Sequence, residues 1–100
     1  MSELKIILDF PKATTDLTGN RLGRKTFEEQ VKPKIDGESK KVIVEFPETI
    51  NDIGTSFIQG MYAFLSEKYG SDKALDKMTL WSKKQETNTK IQKVIDIYGI

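Results

Sequence analysis

The chain has 100 residues, of which 37% are hydrophobic and 31% are charged, and its formal net charge is +1. This length suits one domain spanning residues 1–100, and the composition is typical of a folded, soluble protein rather than a disordered or membrane-spanning one. The near-neutral charge argues against a surface built for nucleic acid or for an anionic membrane.

Neither cysteine nor histidine occurs in the chain. Disulfides and thiolate nucleophiles are therefore excluded, and the side chain that most often transfers protons near neutral pH is missing. Zinc sites nearly always use one of these two residue types, so we predict no metal and no cofactor, with metal binding by carboxylates alone as an open alternative. The N-terminal residues show no apolar signal segment, and no apolar run approaches the ~20 residues that span a bilayer, which predicts a cytoplasmic protein.

The first part of the chain predicts a strand and then a helix. Apolar residues alternate through residues 4–10, as in a strand, and Pro11 ends the pattern. The helix should begin at Thr26, which opens a capping box, or one turn earlier near Leu22. Pro33 should end or kink it, because proline lacks the N–H group that the helix needs. The apolar stripe of this helix consists of Phe27, Val31 and Ile35.

The middle of the chain predicts a central strand and the clearest helix. Residues 41–46 are nearly all apolar and β-branched, which is typical of a strand buried on both faces. After a polar loop, Ser56 opens a second capping box, and Gly70 should end the helix. Gly60 is expected to allow close packing of this helix on the sheet. Its stripe consists of Phe57, Ile58, Met61, Phe64 and Leu65.

The last part predicts a short strand and a final helix. Residues 71–77 are charged and predict at most a short helical turn, and residues 78–81 predict a strand in which Trp81 is expected to be a core residue or else a contact aromatic. Thr87 and Asn88 are the expected caps of the final helix. Its stripe consists of Ile91, Val94, Ile95 and Tyr98, and Gly99 is its expected end.

This alternation of strands and helices predicts the α/β class. We expect a single small sheet of about three or four mostly parallel strands, joined by right-handed crossovers. The helices should pack mainly on one face of the sheet, so that the other face stays open or serves for contact.

The loop that follows the central strand is the first candidate site. Sites in open α/β sheets lie at the carboxyl ends of strands, and here the strand ends at Glu45 and its loop leads to Thr55 and Ser56. A helix N-terminus offers free N–H groups and a positive dipole end, which favour an anion or a phosphorylated hydroxyl. A hydroxyl in this place is also the usual helix cap, and the two interpretations are compatible.

Two other groups of residues are weaker candidates. Arg21, Arg24 and Lys25 could bind a phosphate or an acidic surface, although a solvated helix start is the simpler interpretation. The glycines at 19 and 23 are too close together for a phosphate loop, so nucleotide binding is a minor alternative.

Three carboxylates could also meet near the strand ends. They are Asp9, Glu45 and Asp52, but no partner that would perturb them for acid–base chemistry can be identified from the sequence. We therefore predict that the protein is not an enzyme.

Two stretches of the chain resemble a known family. Residues 42–46 lead through a short loop to Asn51-Asp52-Ile53-Gly54-Thr55-Ser56-Phe57, and residues 18–27 place Arg, Gly and Phe before the first helix. Both stretches resemble the STAS-like domains of unknown function, which are bacterial and phage-associated relatives of the anti-sigma factor antagonists. The resemblance covers roughly residues 4–98 and implies a STAS-like fold.

The resemblance also implies a role for the loop. In anti-sigma factor antagonists, a Ser at the start of the corresponding helix is phosphorylated by a partner kinase of the GHKL ATPase type, and phosphorylation releases the partner. The match places this role on Thr55 or Ser56. Gly54 stands where the family has an acidic residue, for which Asp52 could substitute, and Glu45 stands where the family has Asp.

The function implied by this resemblance is a small regulatory module that binds a protein partner, for which the resemblance implies a GHKL-type ATPase or kinase. The loop and the outer side of the second helix, expected to show Gln59, Tyr62 and Lys68, would form the binding surface. Two alternatives are a non-switching assembly protein, such as a homodimer that uses the uncovered sheet face, and a small nucleotide-binding protein. No nucleic acid and no membrane is expected as a partner.

Overall fold

The computed structural model describes residues 3–35 and 41–98. Their strands are β1 (Glu3–Ile7), β2 (Asp16–Leu17), β3 (Lys41–Phe46), β4 (Asp52–Ile53) and β5 (Met78–Ser82). Their helices are α1 (Asn20–Thr26), α2 (Thr55–Tyr69), α3 (Ser71–Lys77) and α4 (Gln85–Tyr98). α1 continues through a π-helical turn at Phe27–Val31 and a 3₁₀ turn at Lys32–Lys34.

The main sheet is parallel and three-stranded, with β3 between β1 and β5. Ile6 of β1 lies beside Val44 of β3, which lies beside Leu80 of β5. β2 and β4 form a separate parallel ladder of two residues each. The predicted α/β class and the small, mostly parallel main sheet are confirmed, whereas the separate ladder of β2 and β4 was not predicted.

The two faces of the main sheet differ, because successive side chains of a strand point to opposite sides. One face packs against the helices and buries Val42, Val44 and Phe46 of β3. None of the described helices covers the other face, on which Ile7 is 61% exposed and Trp81 is half-buried. We call this the open face, and it consists of Lys5, Ile7, Ile43, Glu45, Thr79 and Trp81. The expectation that Trp81 belongs to the core is therefore wrong.

α2 is buried on nearly all sides because it packs between α1 and α3 on the sheet. Tyr62, which was expected on its outer side, is only 1% exposed and donates its hydroxyl to the carbonyl oxygen of Met78 at 2.7 Å. The prediction for Tyr62 is therefore wrong. Gly70 ends the helix, as predicted, in the left-handed region of the backbone at φ 92°.

α1 and α2 touch through their backbones. A Cβ atom on Gly23 would collide with the carbonyl oxygen of Phe57, and one on Gly60 would collide with the carbonyl oxygen of Asn20. The missing side chain at Gly60 thus serves contact between two helices, and not the predicted contact between helix and sheet.

Pro33 interrupts the helix that begins with α1, as the sequence predicts. The residues before it form the π-helical turn, Pro33 lies in the short 3₁₀ turn, and Ile35 has extended backbone. Proline has no N–H group to donate to the preceding turn, so the regular helix cannot continue through it.

The predicted caps of two helices are wrong, although the first helix does begin close to the alternative start near Leu22. α1 begins at Asn20, so Thr26 lies in its last turn and donates its hydroxyl to the carbonyl oxygen of Leu22 at 2.8 Å. α4 begins at Gln85, so Thr87 and Asn88 lie inside it. Their side chains make contacts with other parts of the fold instead of capping. The predicted end of this helix at Gly99 lies outside the described residues.

Candidate functional site

The candidate loop enters α2 through the short strand β4. Ile50 is fully buried, and β4 then pairs with β2, so that the N–H of Gly54 donates to the carbonyl oxygen of Leu17 at 2.7 Å. α2 begins at the next residue, Thr55. We call residues 52–56 the β4–α2 step.

Contacts from α4, and from Lys84 just before it, hold this step and the loop that leads to it from the other side. The hydroxyl of Thr87, which is fully buried, donates to the carbonyl oxygen of Ile50 at 3.2 Å. The ammonium group of Lys90 lies 3.2 Å from a carboxylate oxygen of Asp52, and that of Lys84 donates to the side-chain oxygen of Asn51. The loop is thus bound to β2 on one side and to α4 on the other.

Neither hydroxyl of the step caps the helix. The N-cap residue is Gly54, whose carbonyl oxygen accepts hydrogen bonds from the N–H groups of Phe57 and Ile58 at 3.1 and 3.2 Å. The predicted capping role of Ser56 is therefore wrong, because the helix begins before it. Within residues 3–35 and 41–98, the hydroxyls of Thr55 and Ser56 have no hydrogen-bond partner.

The accessible part of the step is small. Ser56 is exposed, whereas Thr55 and Gln59 are half-buried. Ser56 and Gln59 are three residues apart and so share one side of α2. With Tyr62 buried, the outer side of the helix near the step consists of these two residues, and Lys68 lies two turns or more farther along.

Glu45 does not lie at the step. It belongs to the open face, where its side chain is only 6% exposed and lies 3.2 Å from Lys5 and 4.0 Å from Lys83. The carboxylate oxygen of Glu45 that faces Lys5 forms an ion pair with it, but the geometry is not that of a hydrogen bond. The indole N–H of Trp81 is also buried and has no hydrogen-bond partner among the described residues.

The three candidate carboxylates have separate environments. Glu45 pairs with lysines on the open face, Asp52 pairs with Lys90, and the backbone of Asp9 binds the side chain of Gln30. In the described part of the chain, no three acidic side chains are grouped so that they could hold a metal ion.

One member of the basic cluster, Arg24, is already paired. Arg24 bonds to the side-chain oxygen of Asn20 and to the carboxylate of Glu67 on α2, both at 2.9 Å. Arg21 and Lys25 are exposed. Arg24 therefore joins α1 to α2, and an anion would have to compete with Glu67 for it.

The residues of α4 that hold the step were not identified from the sequence. Thr87 was recognised only as a possible cap, and Lys84 and Lys90 carried no local signal, since surface lysines are common on helices. Their role depends on tertiary contacts with a loop more than thirty positions earlier in the chain.

Comparisons with known proteins leave the chain without a match. No protein-family model, no curated protein and no solved structure matches it. Across residues 3–35 and 41–98, every helix is too short or too polar to cross a bilayer.

Proposed function

We propose that this chain is a small regulatory module, and not an enzyme, that binds a protein partner through the β4–α2 step. One observation carries the proposal: β2 holds the backbone of the step, α4 holds Asp52 and the loop just before it, yet the hydroxyls of Thr55 and Ser56 have no structural hydrogen bond. A surface that is already ordered loses little conformational entropy on binding. Its free hydroxyls and helix N–H groups can then pair with a partner's acceptors.

Phosphorylation of this step would control the binding. By resemblance to the anti-sigma factor antagonists, the partner is a GHKL-type ATPase, and its kinase activity transfers the γ-phosphoryl group of ATP to a hydroxyl of the step. The hydroxyl oxygen forms the new bond to phosphorus and loses its proton, while the bond from phosphorus to ADP breaks. Ser56 is the better acceptor of the two because it is exposed.

A phosphate on Ser56 would change the binding surface strongly. It adds a charge of about −2 next to a helix N-terminus, where the dipole and the free N–H groups stabilise it. Asp52, the nearest acidic residue before Ser56, is already paired with Lys90. The added charge would therefore repel an acidic partner surface and release it.

The experiment uses a purified GHKL-type ATPase as the candidate kinase. After incubation with ATP, intact-mass measurement should show one added phosphate in the wild type and in Thr55→Ala, and none in Ser56→Ala. Ser71→Ala is the matched control, because Ser71 also lies at the start of a helix but its hydroxyl contacts that of Ser66 at 3.2 Å.

A binding measurement separates the interface from the switch. Ser56→Arg should weaken binding of the ATPase by about tenfold or more, because a large side chain at the centre of an interface displaces the partner, whereas Ser71→Arg should not. Unchanged binding by Ser56→Arg would refute the interface. Phosphate that persists in the Thr55→Ala/Ser56→Ala double variant would refute the switch alone.

A further inference from the structure

The outer edge of β5 is closed by side chains. In this register the peptide groups of Met78, Leu80 and Ser82 point away from β3. The hydroxyl of Tyr62 donates to the carbonyl oxygen of Met78 at 2.7 Å, and the side-chain oxygen of Asn88 accepts from the N–H of Ser82 at 3.2 Å. Another strand cannot pair with this edge without displacing these groups.

The outer edge of β1 is closed only at its end. The N–H of Leu8 donates to the carbonyl oxygen of Glu45 at 2.9 Å, so the peptide groups of Leu8 and Ile6 point toward β3 and those of Lys5, Ile7 and Asp9 point away from it. The side-chain amide of Gln30 binds both the N–H and the carbonyl oxygen of Asp9, at 2.7 and 2.8 Å.

No side chain among the described residues hydrogen-bonds to the backbone of Lys5 or Ile7. Their outward N–H and carbonyl groups form an open strand edge, next to the exposed side chain of Ile7. Natural proteins often protect such an edge with a lysine. Here the ammonium group of Lys5 is drawn across the open face instead, where it lies 3.2 Å from Glu45 and 5.5 Å from the ring of Trp81.

We propose that β1 pairs in antiparallel fashion with β1 of a second copy of this chain, so that Lys5 of each copy lies opposite Ile7 of the other. The two copies are then related by a two-fold axis beside Ile6, and each Lys5–Ile7 pair across it exchanges two backbone hydrogen bonds. The register avoids placing the two lysines directly opposite each other. The pairing joins two three-stranded sheets into one continuous sheet.

Charge favours a second copy as the occupant. Glu45 neutralises Lys5 within each copy, so the lysines beside the two-fold axis do not repel each other. The same register places Glu3 of each copy opposite Asp9 of the other, at exposed ends of the pairing where solvent and salt screen the two charges. On the helix-facing side of the strand, Ile6 and Leu8 are already buried within each copy, and the half-buried Leu4 is the apolar residue that a second copy would cover further. An edge with the same free groups and the same apolar side chains on both partners is what a two-fold interface requires.

Sedimentation of the wild type across a concentration series should show a monomer–dimer equilibrium. Ile7→Pro removes an N–H group that points away from β3, so the sheet within each copy keeps its hydrogen bonds. This variant should weaken the dimer by about tenfold or more. Ile97→Ala is the matched control, since Ile97 is as exposed as Ile7 at 61%, and it should dimerise like the wild type.

A measurement on the wild type covers the case in which Ile7→Pro does not fold. Exchange of the amide hydrogens of Lys5 and Ile7 should slow as the protein concentration rises, because these N–H groups are hydrogen-bonded only in the dimer. A wild type that stays monomeric at millimolar concentration, a folded Ile7→Pro variant that dimerises normally, or exchange that is independent of concentration would each overturn the proposal. None of these results bears on the β4–α2 step.

Discussion

Tyr62 extends from the middle of α2 to the outer edge of β5. Its hydroxyl binds the carbonyl oxygen of Met78, and both residues are buried. Burial raises the pKa of the Tyr62 phenol, and the backbone of Leu80, which hydrogen-bonds to the same group, opposes that rise only in part. The folded protein therefore keeps this phenol neutral, and one side chain both closes a strand edge and fixes α2 on the sheet.

Replacing Tyr62 with Phe should lower the free energy of unfolding by about 1–3 kcal/mol, because a buried carbonyl group loses its partner. Urea denaturation measures this change. Tyr69→Phe is the control, since the Tyr69 hydroxyl has no hydrogen bond among the described residues, and it should leave stability nearly unchanged.

The same tyrosine predicts a dependence on pH. The phenol of the unfolded chain loses its proton near pH ~10, while the folded protein retains it, so the unfolded state binds fewer protons and stability falls as the pH rises further. The fall should be shallower in Tyr62→Phe than in the wild type. Identical stability and identical alkaline slopes for the two proteins would contradict this account of Tyr62.

At the scale of elements, the crossing of α1 and α2 depends on two glycines. Gly23 lies against the backbone of α2, and Gly60 lies against the backbone of α1, so neither position has room for a Cβ atom. The contact brings α1 close to the helix that carries the β4–α2 step. Arg24 and Glu67 then join the same two helices by an ion pair on the surface.

Gly60→Ala should therefore destabilise the fold by about 1–3 kcal/mol through overpacking, although alanine is favoured over glycine in a free helix by ~1 kcal/mol. Gly54→Ala is the control: its φ of −74° suits any residue, and its Cβ would lie 3.4 Å from the methyl carbon of Thr18. Thermal unfolding compares the two. A Gly60→Ala variant as stable as the wild type would show that the helices can separate at little cost.

Apolar periodicity predicted most elements but not where the helices begin. Burial requires apolar residues at the positions that face the core. The sequence shows such residues in the runs at 41–46 and 78–81 and in the stripe of α2, and so locates these elements. A hydroxyl followed by an acid or amide three residues later is a local pattern, and Thr26 shows that it also occurs inside a helix. β2 and β4 have two residues each, which is too few to show any period.

At the scale of the whole molecule, the candidate site was predicted only in part. Thr55 and Ser56 do lie at the start of α2, but α4 holds the loop before them through contacts that depend on the complete fold. The position of Glu45 was predictable, because it alternates with Val44 and Phe46 and must therefore point away from the helices. Local sequence does not show which residues of α4 meet the loop.

The molecule offers two separate surfaces. The β4–α2 step lies at the start of α2 and is supported by β2 and α4, whereas the free edge of β1 lies on the side of the sheet away from β5. No residue of the step belongs to the open edge. A dimer formed through β1 would therefore carry two copies of the step, and a partner with two matching sites would bind it with higher avidity.

The central claim is that the β4–α2 step is the surface that a partner binds. The most direct test is an NMR titration of the isotope-labelled chain with the GHKL-type ATPase in the absence of ATP. The amide signals of Gly54, Thr55, Ser56 and Gln59 should shift or broaden first, while those of α3 stay in place. Signals that change only outside the step, or no change at saturating ATPase, would contradict it.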